Sequence, residues 1–412
     1  MSWKKVALSE IMDLQNGFAF NSEDYVESSN VYNCRMSNIR PGGDFDIDYN
    51  PRFLPDEFAI KYSQFLLKEG DIIVAMTDLA NDPKILGIPT IVNTNKKILL
   101  NQRVGKLIVK DEKRVFIPFL KYALNRKEVQ KYFAKFSSGG LQINLGKNDL
   151  LSYTLSLPLF PIQKRIAEIL DAADALKRKD QQLLQKYDEL AQAIFIDMFG
   201  DPVKNEKGWE VKTIEQLVKK TRHSIKRGPF GGALKKEIFV SDGYLVYEQF
   251  HALNNDFTFG RYYINQEKYD ELIAFDVKPK DIIISCSGIY LGKLAIVPEG
   301  AKAGIINQAL LKLTLDENIY KNEFFVKVFT QENFKETYFA SERGAAIPNF
   351  PPMSTFKDFK FICPPIKIQN EYLKLVQNLQ NQIDIITTEQ KTTDNLFQTL
   401  IQKAFNNELV TE

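Results

Sequence analysis

The sequence predicts an α+β protein built by tandem duplication, with two similar domains separated by two long helices that form an antiparallel coiled coil, pseudo-twofold symmetric overall. Three observations carry this. The only two tryptophans, Trp3 and Trp209, stand 206 residues apart. An ordered series of short motifs repeats at nearly that offset. Each copy then ends in a run of about 38 residues whose apolar positions recur with the 3.5-residue period of a coiled coil.

The repeat sets the elements in order. After each tryptophan comes the spacing Leu8, Ile11, Met12 or Ile214, Leu217, Val218, which predicts a short amphipathic helix. A variable middle follows, Gln15 to Phe65 and Thr221 to Val277, rich in Asn, Ser, Gly, Tyr and Arg and read as loop-heavy. LLKEGDIIVAMT (from Leu66) then matches DVKPKDIIISCS (from Asp276), a turn leading into a buried strand at Asp71–Ala75 or Asp281–Ser285. Further strands are expected at Gly105–Val109 and Leu310–Leu315. Leu86-Gly87 matches Leu291-Gly292, and Asn101-Gln102 matches Asn307-Gln308. A helix is expected at Ile117–Phe136 and Asn322–Tyr338, then a strand at Tyr153–Leu157 and Phe359–Cys363. Pro158 with Ile162-Gln163 matches Pro364 with Ile368-Gln369 and opens the long helix. The domains read as 1–160 and 201–366, and the spacer helices as 161–200 and 367–412.

The helical seam is placed on Ile162, Ile166, Ile169, Ala173, Leu176, Asp180, Leu183, Tyr187, Leu190, Ile194 and Asp197. In the second copy it is Ile368, Tyr372, Leu375, Leu379, Gln382, Ile386, Glu389, Thr393, Leu396, Leu400 and Lys403. Gly200 and Asn406 sit where a left-handed cap residue ends a helix. At about 1.5 Å per residue each helix would be roughly 57 Å long, more than the width of either domain. Two such helices most simply pair with each other, with one domain at each end.

Composition narrows the function. A hydrophobic fraction of 44% suits a globular protein, and no apolar run reaches the ~20 residues of a membrane span. Met1-Ser2-Trp3-Lys4-Lys5 lacks a signal-peptide core, and Cys34, Cys286 and Cys363 are isolated, so a cytoplasmic location is expected. The only histidines, His223 and His251, disfavour His-dependent hydrolases and His-liganded metal enzymes. There is no phosphate-binding Gly-rich loop for an ATP motor. There is also no Asp/Asn-Pro-Pro-aromatic motif of an amino-methyltransferase.

Net charge is only +2, yet local charge is uneven. Lys219, Lys220, Arg222, Lys226, Arg227, Lys235 and Lys236 fall in one glycine-containing stretch without an acid, suited to following phosphates. A solvated basic loop is the alternative. The first copy offers Arg35, Asn38 and Arg40 instead, and the second adds Tyr247 and Gln249. Arg, Asn and Gln are the residue types that engage base edges bidentately. Two recurring Gly-rich loops, Ser138, Gly139, Gly140, Gln142, Asn144 and Arg343, Gly344, Asn349, either approach a backbone or are repeated turns. Two similar domains in dyad relation suit duplex DNA, whose half-sites repeat every 34–36 Å or so.

The joint from Met198 to Trp209 (MFGDPVKNEKGW) resembles that of specificity subunits of type I restriction–modification systems. So do GPFGGALKK, SGIYLGKLAIV, GAAIPNFPP and the helix openings PLFPIQKRI and PPIKIQ. The resemblance covers both copies. It implies two target-recognition domains, each reading half of a split double-stranded DNA site. It further implies that the long helices dock two modification subunits, which bind S-adenosylmethionine and methylate adenine. Restriction subunits using ATP and Mg would add translocation and cleavage, with no cofactor or metal bound by this chain. GGLQIN departs from the Thr-containing Gly turn common in that family. Two other readings remain. One is a stand-alone metal-dependent nuclease using Glu210 and Lys212 with Asp201, a pattern the first copy lacks; the other is a coiled-coil scaffold.

Overall fold

The apolar runs after Asp71 and Asp281 fold as fully buried strands, Ile72–Ala75 and Ile282–Ser285. Both aspartates shape the turn that launches the strand: Asp71 accepts from the Lys68 amide and Asp281 from the Lys278 amide, each at 2.8 Å. Gly70 and Lys280 supply the positive φ between them. The computed structural model describes residues 3–137, 140–230, 232–339 and 350–410. It divides into two compact units, residues 1–182 with 387–412, and residues 183–386.

Within unit 1 one four-stranded sheet runs in the order Pro89–Ile91, Ile72–Ala75, Val104–Val109, Met12–Asn16. The second runs Phe53–Leu54, Val31–Cys34, Lys97–Leu100, Leu66–Leu67, with a parallel pair at its centre. Unit 2 repeats both. Its first sheet is Leu294–Ile296, Ile282–Ser285, Leu310–Leu313, Ile225–Arg227; its second is Tyr263–Ile264, Tyr244–Tyr247, Gly304–Ile306, Asp276–Val277. The duplication therefore holds strand by strand. It also corrects the expectation for the variable middles, which supply much of the second sheet. Strands of two to four residues are too short to leave a period in the sequence.

The helical segments expected at 117–136 and 322–338 are each broken in two, into Ile117–Leu124 and Lys127–Ala134, and into Asn322–Thr330 and Glu332–Phe339. The short helices at Leu8–Ile11 and Ile214–Leu217 are single turns. Outer strands Lys4–Ala7 and Val211–Thr213 pair with Thr154–Leu157 and Lys360–Ile362.

The long helices span Phe160–Phe199 and Ile366–Phe405. They do not stand apart from the domains, since half of each helix belongs to each compact unit. In unit 1, Lys177 pairs with Asp394 at 3.0 Å, while Ile162 and Ile166 share a core with Ala404. In unit 2, the rings of Phe195 and Phe199 meet Tyr372 at 5.7 and 5.2 Å. In both, an early stretch of one helix lies beside a late stretch of the other, so the pairing is antiparallel.

The seam itself needs correction. Ile166, Ala173, Asp180, Tyr187 and Ile194 lie on the covered face, but the alternate positions are shifted by one residue. Leu170 is buried and Lys177, Leu184, Ala191 and Met198 are half-buried, where the sequence pointed to Ile169, itself half-buried, and to Leu176, Leu183, Leu190 and Asp197, which are exposed. Leu176, Leu183 and Leu190 are exposed. The second helix repeats the shift. Tyr372, Leu379, Ile386, Thr393 and Leu400 keep their places, while Val376, Ile383, Gln390, Phe397 and Ala404 replace Leu375, Gln382, Glu389, Leu396 and Lys403. Leucine content favoured the wrong register, because the helices also bury small and polar residues against the domains. The caps differ too: Gly200 has φ +74, but the left-handed residue ending the second helix is Asn407, one past Asn406.

Each helix start is fastened by a glutamine with no exposed surface. The Gln163 side chain accepts from the Phe116 amide (2.8 Å) and donates to the carbonyls of Arg114 (2.8 Å) and Pro158 (2.9 Å). Gln369 does the same with the Lys321 amide (2.9 Å) and the carbonyls of Ile319 (3.0 Å) and Pro364 (2.8 Å). Replacing either by Leu strands one amide and two carbonyls in the interior. We expect Gln163→Leu and Gln369→Leu each to cost roughly 3 kcal/mol in urea unfolding. The two share no partner, so their effects should add in the double variant.

Candidate nucleic-acid interface

Strand direction decides which loops meet. In unit 2, Ile225–Arg227 and Ile282–Ser285 both run antiparallel to Leu310–Leu313, so both leave the sheet beside Leu310. The parallel pair Tyr244–Tyr247 and Gly304–Ile306 ends at the same place, where the Asn307 amide donates to the Tyr247 carbonyl. Four loops converge there: Gly228–Phe230, Glu248–Gln249, Cys286–Tyr290 and Asn307–Ala309. Unit 1 builds the same convergence from Gly17–Phe18, Arg35–Asn38, Met76–Leu79 and Asn101–Arg103.

The Asn-Gln doublets that marked the repeat hold this crossing. Asn101 accepts from the Arg103 amide and Asn307 from the Ala309 amide, at 3.2 and 3.0 Å, each closing its own turn. Against them run Gly17 and Gly228. A Cβ on Gly17 would lie 2.2 Å from the Asn101 carbonyl oxygen, and one on Gly228 would lie 1.8 Å from that of Asn307. Only glycine permits the approach.

The sequence candidates scatter over this frame. Arg35 stands at the convergence, donating to the Asn50 carbonyl at 2.9 Å, with its Nε buried and without a hydrogen-bond partner. Burial, with Arg52 nearby, pushes its pKa down, so a neighbouring anion would relieve it. Arg227 is its counterpart in role: it closes its strand, lies 5.3 Å from the Phe230 ring and has an unpartnered buried Nε. Arg40 is stacked on Tyr49 at 3.6 Å. Gln249 is half-buried and donates to Ser285 Oγ (2.8 Å) and to the Ser287 carbonyl (2.9 Å), so it positions a loop. Gln142–Asn144 pairs with Thr77–Leu79, which brings exposed Gly140, Gln142 and Asn144 to the same end; Thr77 donates to Asn144 at 2.9 Å.

Two candidates are structural instead. Asn38 is buried, its amide donating to the carbonyls of Asp46 and Tyr49 and its oxygen accepting from the Arg35 amide. Tyr247 is buried with its hydroxyl donating to the Lys302 carbonyl at 2.6 Å. Neither presents a free polar group. The basic stretch does not act as one surface either. The Lys219 amide donates to the Thr314 carbonyl, which places Lys219, Lys220 and Arg222 at the opposite end of the strand from Arg227. Three strand residues, about 10 Å, separate the groups. Lys226 turns to the Phe275 ring at 4.7 Å, while Lys235 and Lys236 are exposed. Ser138, Gly139, Arg343, Gly344 and Asn349 lie outside the described residues. Arg103, Gln102 and Gln308 were not singled out, although the doublets were in view as repeat markers.

The nuclease reading finds its groups engaged separately. Glu210 pairs with Lys212, and Asp201 accepts from the Val203 amide (2.8 Å) and Asn333 (2.8 Å). Among the described residues no three His, Cys, Asp or Glu stand together as metal ligands, and no helix is long and apolar enough to cross a membrane.

Comparison with known proteins gives a consistent result. The family model for the type I restriction modification DNA specificity domain matches residues 1–186 and again 206–393. The chain is 33% identical over 190 residues to the type I restriction enzyme MjaVIII specificity subunit of Methanocaldococcus jannaschii, covering 45% of this chain and 43% of that protein. The match thus spans less than half of that relative. Among solved structures, the type I restriction–modification S subunit from M. genitalium superposes with a TM-score of 0.54 at 16% identity, covering 98% of this chain and 96% of the other. A chain from a study of complex assembly and conformational transition of the type I R-M system gives 0.54 at 15% identity, covering 99% and 98%. At such identities these two establish the fold.

The crossing glycines give a direct check. Gly17→Ala and Gly228→Ala should each cost about 3 kcal/mol or more in chemical denaturation, since backbone must move. Gly140→Ala, whose Cβ would meet nothing nearer than 3.8 Å, should stay within about 0.5 kcal/mol.

Proposed function

The chain belongs to the family of type I restriction–modification DNA specificity domains, and from that premise we propose that it is the subunit that reads a bipartite duplex DNA site, one half per unit. The observation that carries the proposal is the repeated loop convergence. The corresponding set of strand ends in each unit gathers an arginine with an unsatisfied Nε, following Val31–Cys34 in one and closing Ile225–Arg227 in the other, with amide side chains and close-approach glycines, while the loop sequences differ. Arg35 and Arg227 are the first candidates for contact. A duplex supplies phosphates and base-edge acceptors to both.

Partners enter through the long helices. Leu176, Leu183 and Leu190 are 46, 37 and 44% exposed and seven residues apart on one helix, so they share a face that the chain leaves uncovered. We assign that face to helices of two modification subunits. Adenine methylation with S-adenosylmethionine, and ATP- and Mg-dependent restriction, then belong to the partner subunits.

Co-expression with a modification subunit followed by methylome sequencing tests the proposal. A new bipartite methylated motif is expected; a soluble complex that leaves no such motif would overturn it. Exchanging residues 15–157 for another domain should change one half-site only. Arg35→Ala and Arg227→Ala should each weaken duplex binding and flatten its salt dependence by about one unit of slope. Leu183→Asp with Leu190→Asp should weaken capture of the modification subunit at least about tenfold while leaving the melting temperature of the free chain unchanged.

A further inference from the structure

The loop that follows the strand opened by Asp71 or Asp281 carries exposed apolar residues. Eight residues past the strand-opening aspartate, at equivalent positions of the two copies, stand Leu79 and Ile289. Both are large, apolar and exposed, Leu79 by 52% and Ile289 by 85%. Each has a second exposed apolar residue nearby. In unit 2 this is the adjacent Tyr290, 47% exposed. In unit 1 it is Leu141, 91% exposed, whose carbonyl accepts from the Ala80 amide at 3.0 Å, while Gln142 pairs with Leu79 across the strands. Isolated exposed apolar residues are ordinary. An exposed apolar residue at the same loop position in both copies, with a second beside it in unit 2 and one on the opposite face of the ladder in unit 1, is not.

The surroundings identify the occupant. The tips leave the sheets at the loop convergence that bears Arg35 and exposed Arg103 in unit 1, and Arg227 and exposed Lys293 in unit 2. The acid nearest the tip in unit 1, Asp78, is turned inward. It is 5% exposed, and its carboxylate accepts from the amides of Ile85 (2.5 Å) and Leu86 (3.0 Å). In unit 2 the corresponding residue is Gly288, with φ +72 and nothing within 4 Å of an added Cβ, which leaves the turn free to project. The apolar point of unit 2 shares its loops with Arg227 and Lys293 and that of unit 1 with Arg35 and Arg103, the exposed Asp82 there being paired with Lys84 at 3.2 Å; such a point faces a polyanion with an apolar interior. Duplex DNA offers that at its base stack. A single thymine methyl would occupy one side chain, whereas an opened base step accepts two, as Ile289 and Tyr290 present.

We propose that Ile289 with Tyr290, and Leu79, are apolar wedges that enter a base step in their respective half-sites. They thereby add recognition of deformable steps to the hydrogen-bond contacts around them. This rests on the DNA-reading function proposed above. Pyrimidine–purine steps, the easiest to unstack, are then favoured under each tip.

The test uses the full-length chain with its co-expressed modification subunit. The probes are duplexes of the methylated bipartite sequence in which 2-aminopurine replaces one base at a time, never the methylated one. With the unaltered chain, fluorescence should rise at one step of the unit 2 half-site. Ile289→Ala with Tyr290→Ala should abolish the rise and weaken binding on the order of tenfold, with the melting temperature unchanged. Leu79→Ala should do the same at the other half-site only. No rise at any step, or an equal rise with the alanine variants, overturns the wedge. So does a loss reproduced by deoxyuridine in place of thymine, which would identify a methyl contact. If the unaltered complex binds and methylates its site without unstacking it, only the wedge falls. If it binds no duplex, the DNA-reading function falls with it.

Discussion

Everything in this molecule hangs from one buried amide used twice. Gln163 and Gln369 each satisfy a backbone N–H and two backbone carbonyls in the interior. Those groups belong to the start of a helix and to the loop that precedes the next helical segment of the domain. A hydrophobic side chain there would pack, but it would not fix an angle. An amide with its donors and acceptor spent on three points does, because any rotation of the helix breaks bonds that no water can replace. Trp209 adds a second fixture at the other end of the first helix, its indole N–H donating to the Phe199 carbonyl at 3.1 Å. Each end of the first helix is thereby fastened to the unit that holds it.

Such rigidity explains where the two copies agree and where they part. The matched residues are those with geometry to enforce: the glutamines, the strand-opening aspartates, and the Asn and Gly pairs at the crossing. The offset between copies is 210 at Thr77 and Ser287 and has fallen to 205 by Leu86 and Leu291. The whole change falls in the loop that carries the apolar tip, which is five residues longer in the first copy. Asp78 compensates by capping the longer loop from within. Length and sequence vary freely there because the crossing beneath is fixed by backbone contacts that depend on no loop side chain.

The same logic sorts what the sequence disclosed from what it hid. The duplication, the buried strands and the antiparallel helices were legible because each is written in a period or an offset. The second sheet was not, since Phe53–Leu54 and Leu66–Leu67 are two residues long and register only through their partners. The seam was half legible. Leu176, Leu183 and Leu190 form a clean heptad, and the structure leaves that heptad exposed while half-burying Lys177, Leu184 and Ala191 beside it. Two apolar stripes, one covered and one exposed, cannot be told apart by period alone. Asn38 and Tyr247 illustrate the converse. Residue types suited to reading bases are equally suited to closing turns, and only burial tells which role they fill.

A second apolar stripe on a helix that already has one is an expensive choice for a free protein, because exposed leucines invite association. Their retention at heptad spacing makes sense if the free chain is a transient state and the assembled complex the working one. Under the proposed function the two units face the opposite demand. Their loops must stay open to a polar, charged ligand while offering enough apolar surface to gain from contact with bases. Under the proposed function, splitting the two requirements between the exposed helix face and the loops lets either change without disturbing the other. The buried glutamines make that separation possible, since they transmit the position of the helix to the sheets, and so to the loops, without involving a residue of either surface.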